Sequence, residues 1–262
     1  MDDHLRTGRS EGTVGKALDA LDLVCAQDRP VRFSELLPLS PWPKGTLYRL
    51  LQTLVKQGML HVEPETGSYT PGLRLVQLAH SAWRKSSLAP IARPHLDALS
   101  GKVGETIHLA QLDRGQVLYV EKRNARHPLP MFSEAGKVGP GYCTGVGKAM
   151  LAHLPDRERC AALQLQAFHP HTAQTITSAE ELEIELAKVR EEGIAFDREE
   201  HEPGIVCVAA PILSPTGRVL GGLSVTTSTA RRPLEDLATL APLLRETAEM
   251  IAEDAADWQF PG

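Results

Sequence analysis

Leu47, Leu50, Leu51, Leu54 and Val55 recur at i, i+3, i+4, i+7 and i+8, the apolar stripe of an amphipathic helix. At about 100° per residue the opposite side carries Gly45, Arg49, Gln52, Thr53 and Lys56. Pro43 precedes this helix, and Gly58 follows it as a C′ residue. Upstream, Val14, Ala17, Leu18, Leu21, Val24 and Cys25 have the same spacing, with Thr13 suited to N-cap them. Ser34 is placed to cap a short second helix through Leu37, which Pro38 and Pro41 keep short. After Gly58, Leu60 and Val62 alternate, and Glu65-Thr66-Gly67 turns the chain back. Three helices followed by a hairpin predict a winged helix-turn-helix.

The pattern then changes. Leu73 to Trp83 reads as a linking helix, and a further helix runs from about Ala89 to Leu99. Alternation in ETIHLAQLDRGQVLYVEKR predicts a hairpin turning at Asp113-Arg114-Gly115. Gly145 to Leu154 opens with glycines and becomes a helix from Lys148; Ala179 to Glu192 is a charged amphipathic helix. IVCVAAPI and VLGGLSV read as buried strands joined by Ser214-Pro215-Thr216-Gly217, and Leu234 to Ala255 as a closing helix. Strands and helices do not follow strict βαβ order, so the class is α+β. The division expected is an arm over 1–12, a winged helix-turn-helix over 13–72, a linker helix over 73–87 and a second domain over 88–258.

Composition narrows the function. A chain of 262 residues suits two modest domains. No apolar run reaches the roughly 18 residues of a membrane span. The polar start MDDHLRTGRSEGT lacks the apolar core of a signal peptide. Cys25, Cys143, Cys160 and Cys207 form no CxxC pair, so disulfide scaffolds and zinc clusters are not expected and a reduced cytoplasm is. The net charge of −5 argues against a general nucleic-acid coat, but it is uneven. Residues 1–80 hold 9 Lys+Arg and 9 Asp+Glu, leaving 19 and 24 in the remainder. Between Trp42 and Leu60 stand Lys44, Arg49 and Lys56 with no anion, so any DNA-binding patch belongs here.

Three chemistries compete in the second domain. TGVGK fails as a phosphate-binding loop, because Tyr142 stands where its first glycine belongs and Ala149 follows the lysine. Gly145, Val146 and Gly147 can still present backbone N–H groups to a small carboxylate, or they can be a turn chosen for tight packing. Cys207, His201 and Asp197 could form a thiol enzyme. Against that, Cys207 lies in a continuously apolar strand with no cation to stabilise a thiolate. His169 and His171 make a single H-x-H, a weak metal signal. No cofactor is expected, and enzyme activity is the alternative rather than the expectation.

Taken together, GTVGKALDALDLV, PKGTLYRLLQTLVKQGML, SYTPGLRLVQLA, YCTGVGKAMLAHLP and AFDREEHEPGIVCVAAPI resemble the IclR family of bacterial transcriptional regulators, in order over roughly residues 13 to 255. The resemblance implies a winged helix-turn-helix followed by a GAF-like effector domain with a central sheet. It also implies dimers or dimers of dimers on operator DNA. Leu37-Pro38 departs from the family's uninterrupted short helix. By this resemblance Gly145, Val146, Gly147, Asp197, Ile205, Cys207, Ser224 and Thr226 surround a small organic acid, with Asp197 expected to accept from its hydroxyl or hydrated carbonyl, Met131 as an apolar wall and Thr226 narrowing the site by a methyl. The helix after Pro43 becomes the groove reader, with Lys44, Gly45 and Thr46 at its leading end and Arg49 suited to guanine O6 and N7. Tyr48, Gln52, Thr53 and Lys56 reach flanking phosphate or sugar. The acidic wing, Glu63 to Ser68, is expected to contribute little base readout.

Overall fold

The computed structural model describes residues 12–256, apart from Leu129, together with Trp258. The expected arm therefore lies, up to residue 11, outside the described residues. The chain divides into two compact units, Met1–Lys85 and Ser86–Gly262.

In the first unit α1 (Thr13–Cys25), α2 (Phe33–Leu36) and α3 (Lys44–Lys56) pack with a small sheet of β1 (Val31–Arg32), β2 (Leu60–Val62) and β3 (Ser68–Pro71), ordered β1-β3-β2. Leu47, Leu50, Leu51 and Leu54 are buried as their spacing requires, among Leu21, Val24, Leu36 and Tyr69. Each such leucine stabilises the unit by about 2 kcal/mol relative to exposure. Gly58, at φ 71, closes α3: its N–H donates to Val55 O and the Met59 N–H to Leu54 O. That 5→2 and 6→1 pair is a Schellman motif, whose left-handed residue favours glycine. Helix α4 (Leu73–Ser86) follows.

Several sequence expectations need correction here. Thr13 is the first residue of α1 and Gly12 precedes it as the cap. Ser34 does not cap α2. Glu35 accepts from the Arg32 N–H at 2.9 Å and so fixes the helix start, with Arg29 bonded to the same carboxylate. Pro38 turns the rest into a 3-10 turn, Leu37–Leu39. Strand β1 was not expected, because two residues cannot show alternation.

The second unit is a six-stranded antiparallel sheet ordered β6-β5-β4-β9-β8-β7. Helix α5 (Ala89–Val103) leads into the hairpin β4 (Thr106–Asp113) and β5 (Gln116–Arg123), which turns on Arg114 and Gly115, both at positive φ. The short β6 (Val138–Gly139) lies at one edge. Then come α6 (Gly145–Ala152), α7 (Asp156–Gln164), α8 (Ala179–Glu192), β7 (Ala195–Arg198), β8 (Ile205–Leu213) and β9 (Val219–Ser228). The expected closing helix is two, α9 (Leu234–Ala238) and α10 (Ala241–Asp254), broken at Thr239-Leu240 with Pro242 in the first turn of the second. Gly222 looks toward Met150 of α6 and Gly221 toward Leu88 at the start of α5, so helices cover both faces of the sheet. Among the described residues no helix is long and apolar enough to cross a membrane.

Candidate functional site

The first unit offers a polar helix face. On α3, Lys44, Gly45, Tyr48, Arg49, Thr53 and Lys56 are exposed. Thr46 and Gln52 are only half-buried, so the outward face is narrower than expected. Gln52 leans toward the Tyr69 hydroxyl at 3.4 Å, and the Thr53 hydroxyl donates to Arg49 O. Tyr48 stands edge-on to Phe33, ring centroids 5.9 Å apart. Pro43 O already takes the N–H groups of Thr46 and Leu47, which leaves those of Lys44 and Gly45 to face an anion.

In the second unit strand register gathers residues far apart in sequence. Asp197 pairs with Cys207, and Cys207 with Thr226, so one row crosses β7, β8 and β9. The next row sets His108 opposite Ser224, on the face that packs against α6. Helix α6 starts on this face. A Cβ added to Gly145 meets Cys207 Sγ at 2.4 Å, so only glycine lets the helix end approach so closely. Gly145 and Val146 line the resulting cavity, as do Met131, Asp197, Ile205, Cys207, Ser224 and Thr226. Gly147 does not. Its missing side chain would collide with Gly141 O at 2.3 Å and Thr144 Oγ1 at 2.6 Å, so it serves tight packing. Helix α6 begins at Gly145, not at Lys148, because Thr144 O accepts the Lys148 N–H.

Sequence reasoning missed His108, Tyr119, Ser133 and Glu202, which share the cavity. Nothing but the alternation of TIHLAQLD placed His108 on a particular face, and no pattern said which face it was. His108 Nε2 lies 2.8 Å from Ser133 Oγ, and Nδ1 lies 3.2 Å from Thr226 Oγ1 and 3.5 Å from Ser224 Oγ. Burial, with Lys122 nearby, lowers its pKa to about 3, so the ring is neutral.

Asp197 is pushed up to about 7, first by burial and then by the charge of Glu200, although the Glu200 N–H donates to it at 2.7 Å. Behind it, the fully buried Lys148 bridges Glu185 of α8 and Glu200. Glu185 also takes Arg198 at 2.8 Å. Burial and the nearby Asp197 push the Cys207 thiol up to about 12, which outweighs the N–H groups of Asp197 and Gly145 beside its sulfur. That thiol is no nucleophile at neutral pH. His169, His171 and His201 pack ring to ring, centroids 4.9 Å apart in each step. Among the described residues no group of three His, Cys, Asp or Glu could hold a metal ion.

The cavity measures about 30 Å³, room for little more than one water molecule. Larger open hollows exist, about 300 Å³ beside Lys102, Arg126 and Arg231 and about 470 Å³ beside Leu112, Leu154 and Leu165. Neither brings a buried carboxyl, buried hydroxyls and a helix N-terminus together as the small cavity does, so chemistry rather than size singles it out.

Residues 13–64 match the IclR helix-turn-helix domain, and residues 80–253 match the domain described as bacterial transcriptional regulator IclR C-terminal. The HTH-type transcriptional regulator XynR of Escherichia coli K12 is 33% identical over 234 residues, which cover 89% of this chain and 93% of that protein. The crystal structure of the Thermotoga maritima IclR is 30% identical with a TM-score of 0.75, covering 93% of this chain and 98% of that one. An IclR homologue from Microbacterium hydrocarbonoxydans, crystallised with 4-hydroxybenzoate, shares the fold at 23% identity and a TM-score of 0.78, over 93% of this chain and 98% of its own.

Proposed function

We propose that this chain, which belongs to the IclR family of bacterial transcriptional regulators, is a repressor released from its operator by a small organic acid. It is a DNA-binding transcriptional regulator and not an enzyme, as its relatives are. The sign of the response and the effector are our reading. The single observation that carries the effector reading is the cavity at the start of α6, where Asp197, Ser224 and Thr226 meet the N–H groups of a helix end. No lysine or arginine lines it, so a carboxylate there is held by N–H and hydroxyl donors and by a protonated Asp197. Its small volume means that an effector enters by displacing the walls. We assign 13–72 to operator binding, 73–87 to the linker and 88–258 to effector binding. Lys44, Gly45, Thr46 and Arg49 then read the groove, with Tyr48, Gln52, Thr53 and Lys56 on the backbone, in the cytoplasm where that DNA lies.

A carboxylic-acid panel tests the effector. Some 2-oxo, semialdehyde, sugar or aromatic acid should raise thermal stability and also weaken binding to an operator selected from random duplexes. A coupling of about 1–3 kcal/mol is typical. If no acid changes both quantities, the reading fails. Asp197 gives the response a pH dependence. The charged and titratable groups around it are Glu200, His201 and Glu202 on its own loop, Lys148 from α6, Cys207 from β8, His108 from β4, Tyr119 from β5 and Cys143 ahead of α6. Below its pKa of about 7 the carboxyl is neutral and donates; above it, the anion repels a bound carboxylate. Effector affinity should therefore fall about tenfold between roughly pH 6 and pH 8, and Asp197→Asn should flatten that fall. A wild-type profile as flat as the variant's would remove Asp197 from the site.

Assembly as a homodimer or dimer of dimers is also part of this reading. Val14 and Leu18 on α1, and Leu73 and Val76 on α4, are large apolar side chains left half or more exposed. Covering them with a second copy removes that surface from water. Val76→Asp should shift the sedimentation coefficient toward monomer while circular dichroism stays unchanged; an unshifted coefficient argues against this contact.

A further inference from the structure

The residues Met131 to Glu134 form a strap at the effector cavity, and three side chains tie it down. The Phe132 N–H donates to both oxygens of Glu202, at 3.1 and 3.3 Å. Ser133 Oγ meets His108 Nε2, and Lys122 Nζ donates to Ser133 O at 2.7 Å and Glu134 at 2.8 Å. The Phe132 ring stands edge-on to His201 at 5.2 Å. Glu202 is the tie that also lines the cavity as an acid. A carboxylate offers about four acceptor sites. One N–H shared between its oxygens leaves capacity over even with the His201 ring as an ion-pair neighbour, its Nδ1 3.7 Å from Oε1. This spare capacity sits in the same small cavity as Asp197 and the α6 N-terminus.

We infer that Glu202 is a specificity-determining residue: it accepts a hydrogen bond from a hydroxyl or ammonium group on the effector while holding the strap closed, so the cavity selects acids carrying such a donor over their deoxy counterparts. The inference rests on the effector reading above. It also excludes effectors with a second carboxylate at that end, which Glu202 repels.

Titration calorimetry on the full chain tests this with two acid pairs: 4-hydroxybenzoate against benzoate, and glycerate against propionate. In the wild type the hydroxy acid of at least one pair should bind with a dissociation constant about tenfold lower than its partner, as one hydrogen bond to a charged acceptor allows. Glu202→Ala should erase that gap while circular dichroism and the urea midpoint stay unchanged. Equal affinity within both wild-type pairs, or a gap that survives in Glu202→Ala, overturns the inference and leaves the effector reading standing. No binding to the wild type by these acids or by the wider panel overturns both. If the urea midpoint falls in Glu202→Ala, Glu202→Gln, which keeps the volume and removes the charge, decides by whether it narrows the gap.

Discussion

Arg49→Ala should abolish specific operator binding while leaving the fold and the oligomer unchanged. Arg49 is exposed on α3, and its backbone is anchored by a helix whose opposite face is fully packed. The substitution removes neither core volume nor a structural contact. A guanidinium bidentate to guanine discriminates by about 1–3 kcal/mol per site, and the proposed dimer would lose that twice, so affinity falls by about thirtyfold or more. Residual binding should become indifferent to sequence, since phosphate contacts remain. A gel-shift titration of the selected operator against scrambled DNA checks this. Unchanged affinity would place the reading surface elsewhere. Lys56→Ala is the internal contrast: it should weaken both duplexes alike and lower the salt dependence.

Lys148→Met should cost the second unit about 3–5 kcal/mol of stability, the usual result of removing one partner from a buried ion pair. The Lys148 ammonium is wholly enclosed, and its loss strands Glu200, which is nearly as buried, against Asp197. One Glu200 oxygen, Oε2, already lacks a partner. Glu185 suffers less because Arg198 remains beside it. Urea unfolding of the full chain should show an earlier transition for the second unit alone, because the helix-turn-helix unit has its own core. The double variant Lys148→Met, Glu200→Gln should recover part of the loss, since it removes the stranded charge. A loss under about 1 kcal/mol, typical of exposed pairs, would mean that the network relaxes into water.

What made α3 legible is that its whole requirement is local. A 3.6-residue period needs only its own leucines, and its end needs only Gly58 at positive φ. The β4–β5 hairpin was legible for the same reason, through alternation and Arg114-Gly115. Helix α7 and strand β7 escaped notice. The former buries only Arg159, Ala162 and Leu163, and the latter spans four residues with a charge at its end.

The cavity divides in the same way. Asp197, Cys207, Ser224 and Thr226 could be named only through resemblance to a family, and Gly147, named with them, belongs to packing against Gly141. His108, Ser133 and Glu202 come from β4, the strap and the loop after β7, and no local period links them. The sequence by itself determined the amphipathic helix α3, the turn glycines and the α+β class, because periodicity and backbone conformation are short-range. Tertiary structure alone decided which polar side chains share a cavity and what their charges are. Those depend on strand order, on register and on how far each group is removed from water, and all three are settled between elements that include β4 and β9, more than a hundred residues apart.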